Sequence, residues 1–212
     1  VINEYVTPAL SCILQGAIGA TCPCVDLNGA CVGFVYGIDM AEAYYKAGKV
    51  KKVLIVCAEQ PSRMLSWQDR SVCVLFGDGA GAAVLAEGDN IKASRLTASS
   101  NYDKLYQMHE LQPSPFNTKP STNLPLVMRG QDVFKFASKA SYADLNTLLK
   151  EIGKTPDDVS LFLLHQANIR IIDNIAHLFN QDKAKFPTNI QKYGNTSSAS
   201  LPILLDEMNR EG

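Results

Sequence analysis

Charge of one sign is what this sequence has least of: 20 Lys and Arg against 21 Asp and Glu leave a formal charge of −1 on 212 residues. A field so close to neutral gives no reason to expect nucleic acid or an anionic membrane as the main partner, and a charged partner must be met by a local patch. No apolar run approaches the ~20 residues that cross a bilayer, and the opening VINEYVTPAL lacks the basic flank of a signal peptide. The chain reads as soluble and cytoplasmic. Beginning at Val1 and stopping directly after a helical stretch at Gly212, it also reads as an excerpt of a longer protein.

Other absences narrow the chemistry. The six cysteines, at 12, 22, 24, 31, 57 and 73, lie in apolar stretches such as VLIVCAE and SVCVLFG, which suits buried free thiols rather than a disulfide framework. Cys22-Pro-Cys24 has neither the spacing nor the second ligand pair of a zinc site, so no metal is expected. FGDGAG is followed by no Lys-Ser or Lys-Thr and opens no helix, which makes it a close-packed turn and not a phosphate cradle. No G-x-S-x-G elbow occurs, and Ser197, Ser198 and Ser200 are assigned to helix capping.

What is present is a core: 46% of the residues are hydrophobic, enough for one large domain or two small ones. Apolar spacing over 32–47 with Gly48 behind it predicts a helix. KKVLIVCAE then reads as a strand buried on both faces of a largely parallel sheet. Residues 80–86 and 91–98 give two further strand candidates, and 99–126 reads as an extended surface connection. The second half repeats this logic. A helix over 131–152 ends at Gly153, Thr155-Pro156-Asp157-Asp158 signals a helix start or turn, SLFLLH is a strand, and helices follow over 168–180 and 198–210. The fold class is α/β.

Three residues stand out at these junctions. Cys31 in DLNGACVGF opens a helix, where unpaired N–H groups and the helix dipole favour thiolate over thiol, and where Gly29, Ala30 and Gly33 leave room for a substrate. His165 ends a strand at the sheet edge where open α/β folds place ligands. Asn195 lies on the turn GNTSS. Read singly, each has a bland alternative: a core thiol, a half-buried histidine, a turn residue.

Together, DLNGACVGFVYGIDMA, DRSVCVLFGDGAGAAVL, MRGQDVFKFA, LLHQANIRII and YGNTSSAS closely resemble the β-ketoacyl-acyl-carrier-protein synthase III family of the thiolase superfamily, in the family's order and across nearly the whole chain. The resemblance implies a layered α/β/α/β/α fold of two related halves. On that view residues 1–90 are part of the first half, 91–130 a connection and 131–212 part of the second, with further segments at both ends. It implies decarboxylating Claisen condensation of an acyl-CoA starter with malonyl-acyl carrier protein. Cys31 would carry the acyl group, while His165 and Asn195 would serve the malonyl group. By the same motifs Arg70 would meet the adenine end of coenzyme A, and Phe134 and Asn168 its pantetheine arm. Lys135 and Arg170 would face the acidic carrier protein. Coenzyme A enters as substrate, no cofactor is implied, and a homodimer is. A related acyltransferase or secondary-metabolite synthase, and a non-catalytic thioester-binding half-enzyme, are the competing readings.

Overall fold

Phe34, Cys57 and Ala199 come from three distant stretches and form one small buried cluster, with Ile38, Ile55, Ala83, Leu201 and Ile203 packed against it. In a computed structural model, which describes residues 5, 7–108, 115 and 124–211, this cluster sits beneath a pair of strands. The strand β1 (Lys52–Glu59) runs antiparallel to β2 (Gly79–Ala86), in a register from Lys52 opposite Ala86 to Glu59 opposite Gly79. The period of two sends Ile55, Cys57, Gly81 and Ala83 to the covered face. Leu54, Val56 and Val84 lie on the other face and are exposed. Expected burial on both faces of a parallel sheet is therefore corrected to an antiparallel pair with one covered face. The alternation in Val53-Leu54-Ile55-Val56 is masked because both sets of side chains are apolar.

The covering helices are α2 (Gly33–Lys46) and α6 (Ser200–Glu211). The helix α2 turns Phe34 and Ala41 inward and stops where expected, with Gly48 in the left-handed region at φ 66°. Gly37 lets it approach closely, since a Cβ there would lie 3.1 Å from Ile55. Gly79 and Gly81 do the same for α6: added Cβ atoms would meet Thr196 and Pro202 at 3.0 Å. Pro202 is tolerated because it falls in the first turn of its helix. Ahead of these elements, α1 (Leu10–Ala17) was not foreseen. Its first N–H groups, on Leu10 and Ser11, donate to Asp26 at 2.8 Å.

The second core lies among α3 (Gly130–Glu151), α4 (Ile169–Leu178) and the extended segment before α4. It buries Leu149, Phe162, Ile171, Ile172, Ile175, Ala176, Phe179 and Phe186. Phe162 stacks on Phe186 and Phe179 with centroids 4.6 and 5.5 Å apart. The helix α3 ends before Gly153 at φ 65°, and Thr155 and Asp158 form the capping box of a short 3-10 turn. SLFLLH joins no ladder among the described residues. Phe162 N–H instead donates to Lys185 O at 2.7 Å.

Residues 91–98 also form no strand. Side chains tie them down instead: Ser94 to Asp39, Arg95 to Asp144 at 3.0 Å and to Glu151 at 3.5 Å, and Thr97 to Asp144. Within the long connection, β3 (Leu105–Tyr106) pairs antiparallel with β4 (Val127–Met128). Residues 109–114 and 116–123 of that connection lie outside the described residues. A short helix, α5 (Ile190–Tyr193), precedes the Asn195 turn.

Candidate active site

The turn 194–200 is the meeting point of the two halves. Asn195 N–H donates to Leu75 O at 2.8 Å and Asn195 O accepts from Gly77 N–H at 3.1 Å, which docks the turn on the FGDGAG segment. Only glycine fits at 77, since a Cβ there would lie 2.0 Å from Tyr193 O. The close-packed reading of FGDGAG is thereby explained: its glycines seat the turn.

Cys31 lies in a 3-10 turn, Ala30–Val32, that runs directly into α2. Ala30 has φ 45° and Ser197 φ 53°, both in the left-handed region that residues with a Cβ avoid. Strain of about 1–3 kcal/mol at each such position is characteristic of functional turns. Gly29 and Gly33 are spent on packing, because added Cβ atoms would meet Tyr36 at 2.9 Å and Ser198 at 3.3 Å. A shallow groove beside the cysteine is lined by Leu27, Asn28, Gly29, Ala30, Val32 and Tyr36.

Burial pushes the Cys31 thiol above its ordinary value, and the Glu59 carboxylate adds to this; a hydrogen bond from the Ser197 side chain opposes both. The expected bias toward thiolate is thus corrected. A three-residue turn offers little dipole, and loss of water together with a nearby negative charge outweighs it. Glu59, at the end of β1, is buried and accepts a hydrogen bond from Ser198 Oγ.

His165 ends the extended segment backed by the phenylalanine cluster. Burial lowers its pKa to about 4, so the ring is neutral at pH 7. Its Nδ1 lies 2.6 Å from Ser200 Oγ, and Nε2 has no hydrogen-bond partner among the described residues. The next residue, Gln166, is fully buried. Its Nε2 donates to Leu164 O at 2.8 Å and its Oε1 accepts from Asn189 N–H at 3.1 Å, which fixes the chain where the histidine emerges. Asn195 Oδ1 accepts from Ser197 N–H at 2.9 Å, so the amide is oriented with Nδ2 left to donate.

The 3-10 turn that carries Cys31 packs against residues 197–199, His165 reaches Ser200 by a hydrogen bond, and Asn195 lies in the same turn, so all three positions meet at one turn. Instead of capping a helix as expected, Ser198 bonds to Glu59 and Ser200 to His165. Sequence reasoning missed Glu59, Gln166 and Ser200 as parts of the site. Gln166 alone carried a local signal, its place beside His165.

The other named residues lie apart from this turn. Arg70, Lys135 and Arg170 are exposed. Phe134 is half-buried against the second core, and Asn168 caps α4 by accepting from Arg170 N–H at 2.9 Å. The thiols at 57 and 73 are buried, but those at 12, 22 and 24 are exposed, contrary to the expectation of six core cysteines. Among the described residues no group of three or more His, Cys, Asp or Glu could hold a metal ion, and no helix is long and apolar enough to cross a membrane.

Comparison with known proteins gives the same outline. The profile described as 3-Oxoacyl-[acyl-carrier-protein (ACP)] synthase III matches residues 25–103, and that of the family's C-terminal part matches residues 149–212. The chain is 41% identical to the Beta-ketoacyl-[acyl-carrier-protein] synthase III of Clostridium novyi (strain NT) over 213 residues, covering 98% of this chain and 66% of that protein. The crystal structure of 3-oxoacyl-[acyl-carrier-protein] synthase III from Aquifex aeolicus VF5 superposes with a TM-score of 0.87 at 38% identity, over 99% of this chain and 65% of that one. The priming β-ketosynthase of the R1128 polyketide biosynthetic pathway gives 0.83 at 29%, over 100% and 65%. The fold is the thiolase-like α/β fold these proteins share, and the chain spans less than two thirds of their length. It belongs to the 3-oxoacyl-[acyl-carrier-protein] synthase III family.

Proposed function

We propose that the protein of which this chain is part condenses an acyl-CoA starter with malonyl-acyl carrier protein, with loss of carbon dioxide, to give a 3-oxoacyl-carrier protein. The observation that carries this reading is the convergence of Cys31, His165 and Asn195 on the 194–200 turn. Family membership and the names of the relatives support it.

In the first half-reaction the Cys31 thiol gives up its proton as its sulfur attacks the thioester carbonyl. A carbon–sulfur bond forms to Cys31, the bond to the coenzyme A sulfur breaks, and that sulfur leaves with the proton restored. The half-buried thiol is held as the neutral form by loss of water and by the Glu59 carboxylate. In the second, malonyl thioester loses carbon dioxide and its electron pair becomes an enolate. The neutral His165 ring and the Asn195 amide supply N–H donors to the enolate oxygen. The enolate carbon then forms a carbon–carbon bond to the acyl carbonyl, the bond to Cys31 breaks, and the departing thiolate takes a proton from water to restore the thiol.

Arg70, Phe134 and Asn168 are assigned to coenzyme A, and Lys135 and Arg170, both exposed, to the acidic carrier protein. Two copies form a dimer through the segment leading into Cys31. No metal or cofactor takes part. A second reading, the priming of a polyketide rather than a fatty acid, is favoured by the likeness to the R1128 priming ketosynthase; it uses the same chemistry with a different starter.

Incubation of the full-length protein with acetyl-CoA tests the first step by mass. An acetyl adduct on Cys31, lost in Cys31→Ala, is the expected result, and the absence of an adduct with every short acyl-CoA overturns the reading.

A further inference from the structure

Ser200 is the first residue of α6 and is 2% exposed. Its hydroxyl has two neighbours within hydrogen-bond reach: His165 Nδ1 at 2.6 Å and Gln166 N at 3.4 Å. A hydroxyl carries one hydrogen and two lone pairs. The Gln166 N–H has only a hydrogen to offer, so it occupies a lone pair. The hydroxyl hydrogen must then find an acceptor, and among the described residues the lone pair of an unprotonated Nδ1 is the one within reach. In the opposite arrangement both nitrogens would donate to Oγ, leaving a buried hydroxyl hydrogen with no partner, which is costly inside a protein. A ring that is neutral at pH 7 can satisfy Oγ in this way.

We propose that Ser200 is a positioning residue that holds His165 in the tautomer protonated at Nε2, the nitrogen that has no hydrogen-bond partner among the described residues. The inference rests on the reading of His165 as a donor to the enolate oxygen and explains how that donor is made reliable. A histidine protonated at Nδ1 would instead turn a lone pair toward the enolate and repel it. Gln166 contributes by its backbone N–H, which commits the hydroxyl to donate, and by its buried side chain, which fixes the peptide. The same turn thus orients both donors, the Asn195 amide through Ser197 N–H and the His165 ring through Ser200.

The test uses the full-length protein, wild type and Ser200→Ala. Nitrogen-15 spectra of the imidazole, assigned by difference with His165→Ala, are expected to show His165 protonated at Nε2 in the wild type and a mixture of tautomers in Ser200→Ala. The rate of malonyl decarboxylation should fall about 10- to 100-fold, as on losing the partner that fixes the tautomer of a metal-bound histidine, while KM and the rate of Cys31 acylation stay near wild type. Unchanged acylation shows that the variant is folded, and Ser200→Thr, which keeps the hydroxyl, should recover most of the loss. A wild-type ring protonated at Nδ1 overturns the proposal without any variant. So does a Ser200→Ala protein that keeps both tautomer and rate. A wild type that acylates Cys31 but never decarboxylates malonyl thioester removes the role of His165, and this inference with it, whereas an active wild type with an indifferent Ser200→Ala removes Ser200 alone.

Discussion

Cys31 and His165 reach the same turn from opposite kinds of surroundings. The cysteine stands among polar groups, with two strained residues, two serine hydroxyls and the buried Glu59 carboxylate around it. The histidine follows a segment packed into the cluster of stacked phenylalanines, and burial alone accounts for its lowered pKa. Both nevertheless rest uncharged at pH 7: the cysteine because burial and a like charge disfavour thiolate, the histidine because burial disfavours imidazolium. In the proposed reaction charge appears transiently, on the sulfur and on the enolate oxygen, and a site without resident charge at its reacting atoms keeps neutral hydrogen-bond donors for those moments.

The sharpest way to separate the two surroundings is Asn195→Ala. On the proposed mechanism Asn195 belongs to the histidine's half-reaction, so malonyl decarboxylation should fall about 100- to 1,000-fold, the usual cost of losing an oxyanion donor. Acylation of Cys31, followed by mass, should continue at its normal rate. If both steps survive, the role given to Asn195 is wrong; if both vanish, the turn serves the two sides without distinction.

Sequence and structure agree most where the signal is local. The helices α2 and α3 were legible because glycines at 48 and 153 mark their ends within a few residues, and α4 was read over 168–180, where Asn168 proves to be its cap. The three positions proposed to react stand out in the sequence because each sits in a short distinctive motif. Sheet pairing was less so: in β1 both faces are apolar, and SLFLLH has the composition of a strand but no ladder among the described residues. Ser200 and Glu59 could not be found by local reasoning. Their partners, His165 and Ser198, lie 35 and 139 residues away, and a serine ahead of a helix looks like a cap until its contacts are known.

Glu59→Gln sharpens the cysteine side alone. Removing the negative charge lowers the Cys31 pKa toward its ordinary value and raises the thiolate fraction at pH 7. Acylation by acetyl-CoA and alkylation by iodoacetamide should both quicken about threefold, a modest gain because burial, the larger cause, remains. Gln can still accept from Ser198, so the turn stays in place and malonyl decarboxylation should not change. A slower acylation would show that Glu59 assists the thiol rather than restraining it.

The smallest change, a shift of pH, tests both surroundings in one protein. The Cys31 pKa is raised above 9.0, so the thiolate fraction, and with it the acylation rate, should climb about tenfold per pH unit with no plateau below pH 9. His165 is shifted the other way, from 6.5 to about 4. Lowering the pH through 6.5, where an exposed histidine would gain its proton, should leave decarboxylation by pre-acylated protein flat, with loss only as the pH nears 4. The signs follow from burial disfavouring the charged form of each group: the anion of the thiol at high pH, the cation of the imidazole at low pH. A decarboxylation limb at pH 6.5 would mean that His165 is hydrated or paired with a negative charge, and the contrast between the two surroundings would fail on the histidine side.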